Sequence, residues 1–447
     1  MLSGLITLLY FILILGIVVF IHELGHFIFA KKAGIYVYEF SIGMGPKLFK
    51  FNRKPKKKKI KGKIVEVVDE TDYCIRAFPI GGFVQMAGEE IEADEKIPKE
   101  KRLQSKTWGQ RFMVMVAGVM NNFILAFVVL LIIGWTNTLS LNSTKLTNIN
   151  DHLYPELKDG DRIVKVNGAK INNYDRLNLE LQVNGEKEFD LKVKHENGEY
   201  ETVKIKPYAV SKDYLPKGYD YDFELKFDEE GNMVTTESKV DGLENNINVN
   251  DIVKIDDVEI LSYTEFLREV SSKKDSFELT YKQGEELKTV KINVKENKKD
   301  ELAGYEYGFQ VTGTEAKGFF AGIRYAAGKW ISTVEQMLLT LWYLITGKIS
   351  LKMLSGPVGI YNVVGQARML GFSTVLSLIA LLNINVGFIN ILPLPAFDGG
   401  HALFLIIEKI KGKPVDPKVE NTIHNIFFIL LMLLMLYVTF NDILRIF

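Results

Sequence analysis

Two histidines and a glutamate lie close together at the end of the first apolar stretch, in the run His22-Glu23-Leu24-Gly25-His26. On a helix, residues four positions apart lie one above the other, so the two histidines are placed to bind one zinc ion, with the glutamate near a metal-bound water. The pattern alone is common. Its position makes it informative, because ionisable groups at membrane depth are costly and by default functional. The alternative is a helix end that reaches water and carries ordinary interfacial histidines.

Composition excludes several classes of protein. The 447 residues are 47% hydrophobic and 25% charged, with a formal net charge of zero, and the charges are segregated from the apolar runs. The length allows about three domains. Zero net charge without a basic, aromatic patch argues against a nucleic-acid-binding protein. The single cysteine, Cys74, excludes an intrachain disulfide and a cysteine-based zinc site, so a metal must rely on His, Asp or Glu. Cys74 itself is expected in the core.

Four apolar runs are long enough to span a bilayer, which takes about 20 residues, and they occur near residues 3–26, 112–135, 373–393 and 425–440. The first has no preceding Lys or Arg and no evident cleavage site, so we interpret it as a retained helix and not as a secretory signal. A fifth run, residues 328–346, contains Lys329 and Glu335, and its apolar side chains cluster toward one side. That pattern favours an amphipathic helix in the membrane interface.

The placement of lysine and arginine predicts the orientation. The stretch from Lys31 to Arg111, with its run Arg53-Lys54-Pro55-Lys56-Lys57-Lys58-Lys59, and the loop Lys409 to Lys418 are basic, and the positive-inside tendency places both on the cytosolic side. Both termini and the segment between about 140 and 312 then face outward. If residues 328–346 also spanned, Asp398 would lie about 30 Å from the two histidines, on the opposite side. We therefore predict that this segment does not span.

The outer segment contains an internal repeat. Ile163 to Tyr174 recurs as Ile252 to Tyr263, which indicates two copies of one module. The strand, Asn-Gly turn and strand pattern, preceded by Gly160-Asp161-Arg162, resembles a PDZ domain. The second copy has Asp256-Asp257 in place of Asn-Gly, which predicts a less secure turn and ligand groove. PDZ modules bind extended chains by strand addition, and a purely structural, water-excluding role is the alternative.

A second polar cluster ends the third long apolar run. Asn383, Gly387 and Asn390 share a helix face, because they are spaced by four and three residues. Pro393 and Pro395 cannot continue that helix, so the backbone should open there. Unwound backbone at membrane depth is tolerated only where protein buries it or water lines it.

The opened backbone should present Asp398 on a loop. A catalytic zinc needs three protein ligands and one open position, so Asp398 is the natural partner of the two histidines. It could instead cap a helix or form a turn before Gly399-Gly400. His401 competes as a ligand, or supports one.

Together these residues resemble the site-2 protease family of intramembrane zinc metalloproteases, specifically the bacterial regulator-of-sigma-E protease type, over nearly the whole chain. The resemblance is carried by H-E-x-x-H, the N-x-x-P-x-P-x-x-D-G run from Asn390 to Gly399, the tandem PDZ-like modules and Leu354-Ser355-Gly356-Pro357. The family's usual L-D-G is Phe397-Asp398-Gly399 here. The resemblance implies that His22, His26 and Asp398 bind zinc, that Glu23 is the general base, and that Asn390 with Pro393 helps engage the substrate.

Residues Phe78 to Gly88 resemble the family's membrane-associated β-hairpin. Gly81 and Gly82 allow another backbone to approach closely, so an exposed edge there could hold an unwound substrate as an added strand. The alternative is an ordinary hairpin packed under the helices.

The expected fold is a polytopic α-helical membrane protein with about four transmembrane helices, tandem PDZ-like α+β modules and a membrane-associated β-hairpin. The expected segments are a first transmembrane helix (1–30), a basic cytosolic-side region with the hairpin (31–111), a second helix (112–135), two modules (140–225 and 226–312), amphipathic interfacial helices (313–372), a third helix with the last zinc ligand (373–400), a cytosolic loop (401–424) and a fourth helix (425–447).

The expected function is zinc-dependent intramembrane proteolysis in a bacterial cytoplasmic membrane. The resemblance implies single-pass membrane substrates already shortened on their outer side, such as anti-sigma factors, and no nucleic acid. The alternative is a membrane-anchored PDZ scaffold with a structural or vestigial metal site, which zinc content and dependence of cleavage on Glu23 would distinguish. A metal transporter lacks the expected spanning repeats and leaves the PDZ pair without a role.

Overall fold

The structure is a computed structural model. It describes residues 2–51, 56–60, 63–67, 71–88, 97–136, 139–227, 233–236, 238–240, 242–243, 245–297, 302–316 and 318–446. Residues 53–55 of the basic run lie outside the described residues.

The first part of the chain forms two long helices with a bent hairpin between them. Its elements are α1 (Leu2–Lys32), β1 (Val37–Phe51), β2 (Lys56–Ile60), β3 (Lys63–Val67), β4 (Asp72–Met86) and α2 (Trp108–Thr136). Phe40 in β1 lies opposite both Val84 and Tyr73, so the first half of β1 is flanked on both edges by β4. Val37, Phe40 and Val84 pack with Ala30 of α1 and Val114 of α2, and this core fixes the hairpin against both helices.

A buried ion network holds the two hairpin strands together. Glu39 in β1 is 4% exposed, and one of its carboxylate oxygens accepts two hydrogen bonds from Arg76 of β4, at 2.7 and 3.0 Å. The Lys47 ammonium lies 2.6 Å from the other oxygen. Burial favours the neutral acid, but the hydrogen bonds from Lys47 and Arg76 outweigh it and hold the pKa of Glu39 below its usual value. Cys74 is buried in β4, as expected.

Residues Ser140–Glu315 form a compact unit. Its elements are β5 (Leu139–Thr147), β6 (Arg162–Val166), β7 (Ala169–Lys170), α3 (Tyr174–Asn184), β8 (Phe189–Lys194), β9 (Tyr200–Ile205), β10 (Tyr208–Ser211), β11 (Tyr219–Tyr221), β12 (Glu224–Phe227), β13 (Met233–Thr236), β14 (Ile252–Ile255), β15 (Val258–Glu259), α4 (Tyr263–Ser271), β16 (Ser276–Gln283), β17 (Glu286–Glu296), β18 (Leu302–Glu306) and β19 (Gln310–Ala316).

The two halves of this unit have similar local structure. One sheet has the order β19-β5-β6-β8-β9, with β7 paired to β6, and the other has the order β11-β17-β16-β14-β15. Each half of the unit also has one short helix whose first turn is capped by a side chain. The capping residue is Asn173 for α3 and Ser262 for α4. Each half also has its own hydrophobic core. The internal repeat therefore corresponds to two sheet-and-helix modules.

The turn of the second module is as well supported as that of the first. Asn167 and Asp256 both adopt positive φ, at 46° and 51°. The Asn167 side chain accepts a hydrogen bond from the backbone of Asp190 at 2.9 Å, and Asp256 accepts one from Glu278 at 2.8 Å. The expectation of a less secure second turn is wrong. The carboxylate oxygen of Asp256 accepts the same turn-stabilising backbone hydrogen bond that the amide oxygen of Asn167 accepts in the first module.

The last part of the chain is helical, with α5 (Phe319–Ile345), α6 (Pro357–Met369), α7 (Phe372–Ile391), α8 (Asp398–Lys411) and α9 (Pro417–Ile446). Helix α7 ends before Pro393, as the two prolines predict. Helix α6 begins at Pro357, and the buried Asp442 of α9 caps it by accepting hydrogen bonds from the backbone N–H groups of Gly356 and Gly359, both at 2.8 Å.

Within the described residues, four helices are long and apolar enough to cross a membrane: Ser3–Lys32, Trp108–Thr136, Phe372–Ile391 and Lys418–Leu444. The protein is therefore a polytopic membrane protein with additional β-sheet regions. Helix α5 is not among the four. It packs against α2 through Gly322, while Phe320 and Ile345 at its two ends are exposed.

Candidate metal centre

The two histidines of α1 lie one turn apart and both are buried, at 9% and 7% exposure. Their Nε2 atoms are 3.3 Å apart. Nδ1 of His26 lies 2.8 Å from the backbone carbonyl oxygen of Val114 in α2. A carbonyl only accepts, so Nδ1 of the neutral ring carries the proton and Nε2 presents a lone pair. This bond to a neighbouring helix fixes both the tautomer and the ring orientation, as is typical of metal-binding histidines.

Asp398 completes this group. Its Oδ2 atom lies 3.1 Å from Nε2 of His22 and 3.1 Å from Nε2 of His26. The expectation that Asp398 lies on a loop is wrong, because it is the first residue of α8. A Cβ on Gly399 would lie 2.2 Å from the carbonyl oxygen of Leu392, so only a glycine lets α8 begin this close to the end of α7.

The three atoms lie within a few tenths of an ångström of the spacing that a tetrahedral zinc ion requires. Their separations are 3.1, 3.1 and 3.3 Å. Tetrahedral zinc with bonds of about 2.0–2.2 Å places its ligand atoms roughly 3.3–3.6 Å apart. Nε2 of His26 and Oδ2 of Asp398 both present lone pairs toward Nε2 of His22, and such converging lone pairs repel one another unless a cation or a proton lies between them. The set His22, His26 and Asp398 is thus chemically suited to zinc.

Comparisons with known proteins agree with this geometry. Residues 10–434 match the family described as Peptidase family M50. The chain belongs to peptidase family M50. It is 33% identical to the zinc metalloprotease RasP of Shouchella clausii, over 99% of each chain. It is 28% identical to the regulator of sigma-W protease RasP of Bacillus subtilis and 27% identical to the zinc metalloprotease RasP of Oceanobacillus iheyensis, again over 99% of each.

Family membership confirms the resemblance to site-2 proteases and identifies the chain as an intramembrane zinc metalloprotease. This finding favours the enzyme over the scaffold and the transporter. A zinc cofactor follows from the family, and the three converging side chains provide a group able to hold it.

Two glycines of this M50 peptidase let α1 and α2 approach closely at the two histidines, and the sequence analysis did not single out one of them, Gly118. A Cβ on Gly118 of α2 would lie 2.3 Å from Nε2 of His26 and 2.8 Å from Cε1 of His22. A Cβ on Gly25, between the two histidines, would lie 2.3 Å from the carbonyl oxygen of Ala117. Small residues of this kind let membrane helices approach backbone to backbone. The adjacent pair Ala117-Gly118 in an apolar run is the sequence signal that could have indicated the contact.

The hairpin reaches the predicted base. A Cβ on Gly82 in β4 would lie 3.0 Å from Cγ of Glu23 and 2.8 Å from the carbonyl oxygen of Ser41. Gly81 adopts φ +80°, and a Cβ there would lie 2.8 Å from Cε of Met44. The close approach that was expected at these glycines is therefore made by β4 to the hairpin's own first strand and to α1.

An apolar cavity of about 190 Å³ adjoins the metal centre. It lies where α2, the end of α7 and α8 meet, and its lining residues are Phe112, Val116, Val119, Ile391, Pro393, Asp398, Gly399, Ala402, Leu403 and Ile406. Asn390 lies on the last turn of α7 and is half-buried.

His401 does not join the three converging side chains. It lies one turn after Asp398 on α8, and its ring stacks on that of His424 in α9, with ring centroids 4.1 Å apart. Glu420 of α9 lies close to both rings. These three residues form a separate group that sequence reasoning did not recognise, although Glu420 and His424 have the i, i+4 spacing.

Helix α8 is fixed to the start of α2 by polar contacts. The indole Nε1 of Trp108 donates to the backbone carbonyl of Leu405 at 2.7 Å. Arg111 forms an ion pair with Glu408. The Lys409 ammonium lies 4.2 Å from the Trp108 ring centroid, within the range of a cation–π contact. The helix that carries Asp398 is thereby oriented by the same helix that orients His26.

Proposed function

We propose that this M50 peptidase binds zinc through His22, His26 and Asp398 and hydrolyses peptide bonds of membrane-embedded substrates, with Glu23 as the general base. The observation that carries the proposal is the convergence of three buried potential ligand atoms within 3.3 Å of one another, one of them on a ring whose tautomer a backbone carbonyl fixes. Two histidines and one carboxylate leave the fourth tetrahedral position for water or substrate.

The chemistry divides between the ion and the protein. When bound, zinc lowers the pKa of a coordinated water and polarises a carbonyl group. Glu23 lies one residue after His22 on α1 and is half-buried beside Gly82. In our proposal its carboxylate accepts the proton of the attacking water and delivers it to the departing amine. The apolar side chains around the centre limit the access of bulk water.

Substrate binding is proposed at the hairpin and at the end of α7. A transmembrane helix must unwind before cleavage, since its amides are bonded internally. The segment around Gly81 and Gly82 pairs only with β1 among the described residues, so its other edge offers N–H and C=O groups to an added strand. Asn390 and Pro393 help engage the opened chain, and the apolar cavity beside Asp398 has the size of one or two side chains.

We propose single-pass membrane proteins of the anti-sigma factor type as substrates, in a bacterial cytoplasmic membrane. One relative is named a regulator of sigma-W protease, which supports this class. The basic stretches are proposed to face the cytosol, following the positive-inside tendency. The two sheet-and-helix modules are proposed to be PDZ-like and to lie on the outer side, where they restrict entry to substrates already trimmed near the membrane.

The test is a comparison of membrane proteomes from cells that express the wild-type protein or Glu23→Gln at equal levels. We expect a small set of single-pass proteins to accumulate, intact or trimmed only on the outer side, in the variant. Glu156→Gln, the same chemical change at an exposed residue of the first module, is the control. Identical proteomes for wild type and Glu23→Gln would contradict the proposal.

A further inference from the structure

A second group of potential metal ligands lies between α8 and α9. Nδ1 of His401 is 3.4 Å from Oε1 of Glu420, and Nε2 of His424 is 3.9 Å from the same oxygen. One ligand atom from each residue lies within 4.8 Å of the other two. Two imidazoles and one carboxylate form a donor set suited to zinc and to similar first-row ions.

Two of the three ligands are accessible to ions from solution, whereas Nε2 of His424 is buried. The His401 side chain is 44% exposed and that of Glu420 is 27% exposed. Both line a chamber of about 540 Å³ with polar and apolar walls. The site differs in this respect from the buried centre on α1. Metal binding also requires His424 to move, because tetrahedral zinc places its ligand atoms roughly 3.3–3.6 Å apart. Nε2 of His424 lies 3.9 Å from Glu420, and the two stacked rings must turn before their in-plane lone pairs can meet on one ion. The site should therefore bind metal more weakly than the buried centre.

His424 also holds the segment that leads into Asp398. The backbone N–H of Ala396 donates to Nδ1 of His424 at 2.9 Å. Ala396 adopts φ +78°, a left-handed conformation that is strained for a residue with a Cβ and persists only where the surroundings impose it. The hydrogen bond from Ala396 to α9 is one such restraint, two residues before the proposed zinc ligand.

The tautomer of His424 connects these two roles. Because Nδ1 accepts from Ala396, the neutral ring carries its proton on Nε2. Nε2 is buried and has no hydrogen-bond partner among the described residues. A metal ion on Nε2 needs that lone pair, so the neutral ring must then carry its proton on Nδ1. The N–H of Ala396 would face another donor, and the hydrogen bond would be lost.

We propose that His401, Glu420 and His424 form a second, weaker transition-metal site, and that its occupancy releases Ala396 and loosens the segment that carries Asp398. The second ion would inhibit the enzyme because the loosened segment holds Asp398 less firmly in position at the first ion; the affinity of the first site for zinc would also fall, and by linkage the first ion would weaken the second. The inhibitory part rests on the proposed role of Asp398, whereas the existence of the site does not.

The first test counts metal in the full-length protein, purified in detergent and dialysed against graded free zinc. We expect the wild type to take up a second equivalent at higher zinc, and Glu420→Gln and His401→Phe to retain only the tight one. Phenylalanine preserves the ring that stacks on His424. His152→Phe, at an exposed histidine, is the control. Asp398→Ala should lose the tight equivalent and keep the weak one, which separates this site from the proposed function.

The second test measures coupling. Exchange of isotopically labelled zinc out of the buried centre is followed at low and high concentrations of free unlabelled zinc, together with cleavage. Loss of one hydrogen bond corresponds to a roughly fivefold weaker first site, so high zinc should weaken retention and inhibit cleavage in the wild type but not in Glu420→Gln. A wild type that binds one equivalent only, or a second equivalent that persists in both variants, would overturn the site. Equal zinc sensitivity of wild type and Glu420→Gln would overturn the coupling.

Discussion

Replacement of Gly118 by alanine should disable the metal centre from a neighbouring helix. The added Cβ would lie 2.3 Å from Nε2 of His26, whereas ordinary van der Waals contact begins at 3.4 Å. The difference between 3.4 and 2.3 Å requires a relative displacement of about 1.1 Å. His22 is also affected, since its Cε1 atom would lie 2.8 Å from the new methyl group.

This displacement is large compared with what zinc coordination tolerates. Metal–ligand distances in proteins are held to about 0.2 Å. His26 cannot rotate freely away, because its Nδ1–H donates to the carbonyl of Val114 four residues earlier on the helix that carries Gly118. We expect zinc affinity to fall by about 10-fold to 100-fold, which is the range found when the groups that orient metal ligands are changed. Overpacking should cost about 1–3 kcal/mol of stability, so the protein should still fold.

The assay is zinc content after dialysis at fixed free zinc, with thermal unfolding of the same samples as the measure of folding. Gly109→Ala is the matched control, since it lies on the same helix and a Cβ there meets nothing within 4 Å. If Gly118→Ala folds, holds zinc like the wild type and cleaves at a comparable rate, the proposed placement of the two histidines is refuted.

Three further predictions concern the ligands and the topology. Glu23→Gln should keep its zinc and lose at least about 100-fold in cleavage, because an amide cannot accept the proton; normal cleavage would remove the proposed base. Asp398→Ala should lose the tightly bound zinc together with activity, as measured by metal analysis of the purified protein at low free zinc, and a full tight equivalent would reduce Asp398 to a helix-terminal residue. The topology can be tested with single cysteines in a chain whose buried Cys74 is replaced by alanine. A cysteine replacing Lys413 should react with a thiol reagent only from the cytosol, and one replacing Asn167 only from outside. Labelling at position 413 from outside would contradict the proposed topology.

Local patterns predicted the parts of the fold that depend on local physics. The four long apolar runs became the four candidate membrane helices, because length and hydropathy are sequence properties. Pro393 ends α7 near Ile391 as expected, since proline lacks the amide proton. The repeat around Asn167 and Asp256 became two similar modules, although the strength of the second turn was underestimated.

Tertiary contacts decided the rest. The role of Gly118 depends on the close approach of α2 to α1, which a single sequence does not reveal. Asp398 begins a helix because Gly399 allows α8 to start against the end of α7. The association of His424 with Ala396 joins residues 28 positions apart and depends on the packing of α9 on α8. These are residues whose importance follows from what they contact and not from a local pattern.

The central claim is that the group on α1 and α8 cleaves a peptide bond inside the membrane. The most direct test is to reconstitute the purified protein in lipid vesicles with a trimmed single-pass substrate and to locate the cut by mass spectrometry. We predict a cut within the membrane-spanning segment that is lost on zinc removal, restored by zinc, and absent in Glu23→Gln at unchanged zinc content. The same fragments from Glu23→Gln at the wild-type rate, or a cut only outside the spanning segment, would contradict the claim.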